Sequence, residues 1–486
     1  MLHSRLRRAG ALAAVIGFVL ALAASAQAAV PLTRVFTDPF TNTTSQHQTA
    51  VEPDTFAFGS TMVTATQSGR FNDGGSSGIG WATLDSSGAV LGSGTLPGIT
   101  THNGNGGTYD RVSDPSVAYD AAHAVWLISS IPITTSLAVP VVYVHRSTDG
   151  GLHWSGPVTV TTSTTNDLDK NWSVCDNHPA SAFYGHCYTT WDDHGNGNRL
   201  LVSTSADGGL TWGPARATAN SATGLGGQPV VKPDGTVIIP AANANETAII
   251  AYRSTDGGAS WGSTVSVASV RSHTEAGSLR SGPLPSAEIS DDGTVYVSWA
   301  DCRFRSACRA NDIVYSTSTT GQTWTAVTRV PIDATNSGVD HFLPGLAVTG
   351  SGTTTKLGLT YYFYRQTACG SSCRLEVGYI QSNNAGAAWG AHVDVAGPFN
   401  VSLTPNTTQG RMVGDYISTS WIGGKAFGAF AVAQAPGAGF AFDQALYVPA
   451  GGLATSAAAT TATASDHVFS NAASDHAAAQ SHVHRR

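Results

Sequence analysis

The chain has 486 residues, of which only 12 % are charged, and it carries 54 glycines and 11 tryptophans. That length admits several ordinary domains or one large all-β or repeat domain, and the composition excludes long, solvated, Lys/Glu-rich helices. Its formal charge of −7 argues against general nucleic-acid binding, which draws on Lys and Arg at phosphates.

The first residues read as an export signal, assigned to 1–28. Arg5, Arg7 and Arg8 precede an apolar run from Ala9 to Ala24, and Ala26-Gln27-Ala28 supplies a small-x-small cleavage pattern. The run is too short to span a bilayer, and no later stretch is long enough, so no membrane partner is expected. Losing the three arginines moves the charge from −7 to −10. A secreted, extracellular location suits the six cysteines, which fall into three close pairs: Cys175 with Cys187, Cys302 with Cys308 and Cys369 with Cys373. None has the spacing of a zinc site, no metal is expected, and the sequence specifies no calcium site.

Along the body of the chain, alternating strands run into and out of "STDGGLHW" (147–154), "SADGGLTW" (205–212) and "STDGGASW" (254–261), each reading as a β-hairpin with the motif as its turn. The Asp carboxylate can accept backbone N–H groups, the glycines can take positive φ, and the Trp can cover the hairpin base. Weaker copies end at Trp324 and Trp389, with Thr319 and Asn384 in place of the Asp. A turn tolerates that exchange, whereas a catalytic carboxylate does not.

Upstream of each turn lie two more strands, the first marked by a proline in most units. The first strands are read as "EPDTFAFG", "DPSVAYD", "HPASAFYG", "QPVVKPDG", "LPSAEISDDG", "LPGLAVTG" and "GDYISTS". Four antiparallel strands per unit, repeated about every fifty residues, predict an all-β β-propeller with seven blades by this count, six being the alternative. The propeller is assigned to 29–449. The seventh unit lacks a fourth strand, which "PLTRVFTDPF" (31–40) can supply. From Ala450 to Arg486 the chain is mostly Ala, Thr, Ser and His, a composition expected to be disordered.

The turn motif resembles the Asp-box, or BNR repeat, and the pattern is similar to that of the sialidases, secreted exo-glycosidases built on an Asp-box propeller. The resemblance implies that the boxes are structural and face away from the active site. Strand alternation then places the segments entering first strands, and those joining second to third strands, on the opposite face. That face collects Arg70, Arg111, Arg280, Arg303, Arg305, Arg309, Arg365, Arg374 and Arg411, together with Asp114, Asp169, Asp192, Asp301, Asp340 and Asp415.

Converging guanidinium groups suit a carboxylate ligand. By resemblance, Arg111, Arg280 and Arg411 are the candidate substrate clamp, Asp114 the acid/base, and Glu288 with Tyr416 the nucleophile pair. The family's early R-I-P signature is absent, and these spacings differ from the family's. The expected function is therefore binding, and hydrolysis, of a glycan or glycoconjugate, in the acidic-glycan case a sialoside. Alternatives are a glycan-active enzyme of another specificity and a non-catalytic carbohydrate- or protein-binding scaffold. No cofactor is expected, and the protein is expected to act as a monomer.

Overall fold

The computed structural model describes residues 30–104, 106–454 and 460–461. The expected signal segment lies outside them. Strand pairing resolves into seven antiparallel units. Their first strands are Gln46–Phe58, Arg111–Asp120, Leu168–Cys175, Val230–Val231, Ser286–Ile289, Asp340–Thr349 and Ser418–Ile422. Units one and two touch edge to edge through the single pair Ser76↔Val112. The first strands contact one another in chain order, and the seventh returns to the first, so they surround a common axis. The fold is an all-β propeller.

Ring closure comes from the start of the chain. Leu32–Phe36 pairs antiparallel with Gln444–Pro449, giving unit seven the strand that its own segment lacks. Closure locks the last unit to the start of the chain and leaves only the short outer edges of the separate units. Ala450 still donates to Pro31 O at 2.8 Å, and the buried Leu453 bridges Ala426. Packing thus continues past the expected end of the propeller. Thr460–Thr461 pair with Ala388–Trp389, and the remainder of the expected tail lies outside the described residues.

One predicted first strand is displaced. "HPASAFYG" is a series of turns between the first and second strands of unit three, bracketed by the Cys175–Cys187 disulfide. The first strand is the preceding "LDKNWSVC". Pro179 marks a turn there, because proline lacks the N–H that a ladder needs. Cys302–Cys308 and Cys369–Cys373 also form disulfides, each within a second-to-third connection.

The box turns behave as capped hairpins. Asp207 Oδ1 accepts from Leu210 N at 3.0 Å and Thr211 N at 2.9 Å, while Ser205 Oγ accepts from Gly209 N at 3.0 Å. In the last copy Asn384 Oδ1 takes the carboxylate's part, accepting from Ala388 N at 2.8 Å. In the fourth copy the substitute is Thr320 rather than Thr319: Thr320 Oγ1 accepts from Gln322 N and Thr323 N. That turn is one residue shorter between its serine and its tryptophan, which shifts the register.

Four first strands share one irregularity. Two residues oppose one at Glu52-Pro53, Asp114-Pro115, Lys170-Asn171 and Leu343-Pro344. The first residue of each pair is left-handed, with φ of 53°, 51°, 50° and 50°. Such a bulge re-aims a side chain and is strained for any residue but glycine. In three consecutive units the re-aimed side chain is charged.

Candidate functional site

Glu52, Asp114 and Lys170, from the bulges of units one to three, meet at the mouth of the ring where first strands begin. Lys170 Nζ lies 2.6 Å from Asp415 Oδ2, 3.6 Å from Asp114 Oδ2 and 3.7 Å from Glu52 Oε1. Asp415 stands at the corresponding position of unit seven. Arg280, on the segment between units four and five, donates to Asp415 through Nε at 2.7 Å and also through Nη2. Gln67 donates to Glu52 and, at 3.0 Å, to Ser113 Oγ, while Arg70 donates to Gln67 Oε1 at 3.1 Å. Every charged member is buried.

Burial and pairing drive the two carboxyl groups apart. Burial lifts Glu52 well above the usual carboxylate range, with Lys170 opposing and Asp114 and Asp415 adding to the rise. Burial would raise Asp114 as well, but Lys170 and the Ser113 hydroxyl, 2.6 Å from Oδ1, hold it below its ordinary value. Burial alone would lower Lys170, yet its acidic neighbours, Asp114 and Asp415 foremost, hold it well above its ordinary value. The mouth therefore sets a carboxyl group that holds its proton more tightly than usual beside one that holds it less tightly, the division of labour that acid–base catalysis uses.

Aromatic residues form a floor under this cluster. The Trp172 and Tyr416 rings meet nearly perpendicular at 4.9 Å, flanked by Gln228, Leu284 and Pro285. The Tyr416 hydroxyl donates to Pro115 O at 3.3 Å. Its phenol is raised well above its ordinary value by burial and then by Glu52.

Of the six residues expected from the sequence, Asp114, Arg280 and Tyr416 are brought together. Glu288 is not beside Tyr416. It sits four residues beyond Leu284, which lines the floor ahead of the strand, and lines a separate cavity with Asp54. Arg111 is held away from the cluster by Asp110 at 2.9 Å, by Asp73, and by the Phe71 ring 4.2 Å from its guanidinium carbon. Arg411 donates to Thr404 O at 2.7 Å, and its backbone braces Arg280: Arg280 N donates to Arg411 O at 2.7 Å. Each guanidinium group thus has its own partners.

Glu52 was readable, because it precedes the proline of the first unit as Asp114 does in the second. Lys170 falls in this register only once "LDKNWSVC" is recognised as a first strand.

Two clusters elsewhere have metal-ligand residue types. Cys175 and Cys187, beside Asp120, are consumed by their disulfide, and Asp312 and Asp333, beside His341, are already paired with Arg305 and Arg329.

The sequence matches the model of the BNR repeat-like domain over residues 98–284 and 141–396. The chain belongs to this BNR repeat-like family. No curated protein matches it significantly. Among solved structures, the BNR propeller is similar to a PL25 ulvan lyase, with 10 % identity, 87 % of this chain and 96 % of that one covered, and a TM-score of 0.50. A protein of unknown function from Dyadobacter fermentans shows 15 % identity over 74 % of this chain and all of that one, with a TM-score of 0.46. The Hadza microbial sialidase Hz136 shows 13 % identity over 78 % and 74 %, with a TM-score of 0.42. At these identities the likeness is one of fold. Among the described residues no helix is long and apolar enough to cross a membrane.

Proposed function

We propose that this BNR propeller is a secreted glycoside hydrolase acting at the mouth of its ring, with Glu52 as general acid and Asp114 as the ionised partner. The observation that carries this reading is the pair of bulged, left-handed residues that aim two carboxyl groups, shifted in opposite directions, at one lysine. Glycosidases need one protonated carboxyl group for the leaving oxygen and one carboxylate for the anomeric side. Lys170 and Arg280 favour the ionised form of Asp114 and both pair with Asp415, and Tyr416 with Trp172 offers aromatic faces to a sugar ring.

A neutral glycan fits this mouth better than a carboxylated one. The Arg280 guanidinium is already bidentate on Asp415, so a sialoside would have to displace an internal carboxylate. Removing one partner of such a buried pair is costly.

The test is turnover of aryl glycosides, furanosides and an aryl sialoside included, by the full chain. Glu52→Gln and Asp114→Asn should each lower kcat by about 10²–10⁴-fold with the melting temperature maintained. Failure to cleave any glycoside refutes the hydrolase reading. The burial of every charged member favours a second reading, in which the cluster only locks the ring of a glycan-binding scaffold. Under it both variants change stability, and glycan binding proceeds without turnover.

A further inference from the structure

Beyond the Trp172–Tyr416 floor the axis widens into a cavity of about 150 Å³. It lies toward the box face, since its wall includes Val231, Ile289 and His178, which stand at or past the far ends of their first strands. Most polar groups of the wall are committed to stitching neighbouring units together. Val117 N donates to Asp54 Oδ2 at 2.6 Å, Ala287 N to Gln228 Oε1 at 3.0 Å and Leu346 N to Ser286 Oγ at 3.0 Å. Ser418 Oγ donates to Thr55 O at 3.1 Å.

Two acidic side chains and one amide give the wall a definite chemistry. Asp54 and Glu288 enter from first strands of units one and five, and among the described residues neither forms an ion pair with a lysine or arginine. Burial raises Asp54 to about 7; burial, then Asp54, raises Glu288 to about 8. The side-chain amide nitrogen of Gln228 is a second, independent signal: the residue is only 7 % exposed, lines the cavity, and its NH₂ donates to no described residue. That nitrogen faces the cavity, where a ligand oxygen can take the place of water as its acceptor.

We infer that this cavity is a second binding site that takes a small protonated amine, its ammonium group held between Asp54 and Glu288 and a neighbouring hydroxyl oxygen accepting from Gln228. Trp172 and Phe56 supply aromatic surface for the carbon skeleton, which favours an organic cation. A calcium ion needs six to eight oxygen ligands, and the hydroxyl groups of the wall are engaged. The volume is below the roughly 300 Å³ of a drug-sized pocket, which limits the ligand to a small molecule or the end of a longer one. A protonated 2-amino alcohol has this chemistry. It occurs in ethanolamine head groups and in amino sugars with a free amine.

The test is titration calorimetry on the full chain with ethanolamine, glucosamine, propylamine, N-acetylglucosamine and calcium chloride. Ethanolamine or glucosamine should bind saturably at one site, and which of them binds more tightly identifies the source. N-acetylglucosamine, which lacks the charge, should not bind. Binding should release protons, visible as a heat that depends on the buffer, and should tighten from pH 6 to 8 as the two carboxyl groups ionise. The other titratable groups are His178 in the wall and, beyond the floor, Glu52, Asp114, Lys170 and Asp415.

Glu288→Gln, close to isosteric, should weaken binding about tenfold or more and reduce the proton release. Gln228→Leu should weaken ethanolamine but leave propylamine, which has no acceptor oxygen, unchanged. Failure of both amino alcohols to bind at millimolar concentration, undiminished binding by Glu288→Gln, or saturable binding of calcium alone would each overturn the assignment. None of these outcomes depends on glycoside turnover.

Discussion

At the scale of single residues, the box tryptophans are not equivalent. Trp261 is 3 % exposed and packs against Tyr252 and Tyr188, with ring centroids at 5.6 and 6.4 Å, whereas Trp154 and Trp212 are only partly buried. Truncating a large buried aromatic leaves a cavity that neighbours fill only in part. Trp261→Ala should therefore cost about 3–5 kcal/mol, and Trp212→Ala distinctly less, as read from denaturant midpoints. Equal losses at the two positions would contradict the burial difference. The box carboxylates were legible because their duty is local: offsets of a few residues fix which N–H groups they cap. The Thr320 substitution was not, because a one-residue contraction leaves the composition of the turn unchanged and moves only its register.

At the scale of elements, ring closure depends on two glycines. Gly80 and Gly78 lie in the third strand of unit one, and the rings of Phe36 and Phe40 occupy the space where their β-carbons would stand. Phe36 ends the strand that closes unit seven. Gly80→Ala should push that strand off and cost about 1–3 kcal/mol, the usual scale of overpacking. In a Phe36→Ala background the same change should cost much less, and a double-mutant cycle of melting measurements checks the coupling. Additive effects would show that closure does not run through this contact. The closing strand could be anticipated because unit seven was short by one strand, an arithmetic that spacing reveals. The first strand of unit three could not, because Asn171 stands where five other units place proline while Pro179 advertises a turn. The same missing marker hid Lys170, so half of the mouth cluster was legible and the lysine that organises it was not. Arg111 and Arg411 show the converse limit. Loop position put them on the right face, but only three-dimensional packing decides which carboxylate or carbonyl claims a guanidinium group.

At the scale of the whole molecule, the protonation of buried groups sets a pH dependence whose sign can be worked out. Glu275 and Asp54 are raised to about 7 and Glu288 to about 8, in each case chiefly by burial. These groups hold protons in the folded state that the unfolded chain has already released above the ordinary carboxylate range near 4. Their contribution is complete below that range and is lost as pH rises through 7 to 8. Two buried histidines act in the opposite sense: burial lowers His145 to about 4 and His341 to about 3. The unfolded chain protonates them below about 6.5 while the folded chain does not, so they favour folding increasingly as pH climbs toward 6.5 and contribute nothing further above it. Each unmatched proton changes stability by about 1.4 kcal/mol per pH unit. Between pH 5 and 6.5 the two histidines offset only part of the effect of the three carboxyl groups, and between 6.5 and 8 the carboxyl groups act alone. The melting temperature should therefore decline across both intervals. In Asp54→Asn/Glu288→Gln the decline should be shallower, because two of the groups that lose protons are gone. Scanning calorimetry from pH 5 to 8 on both proteins checks this; a wild-type melting temperature that climbs between 6.5 and 8 would mean that the axial carboxyl groups are ionised in the folded chain and that the cavity already contains their counter-charge.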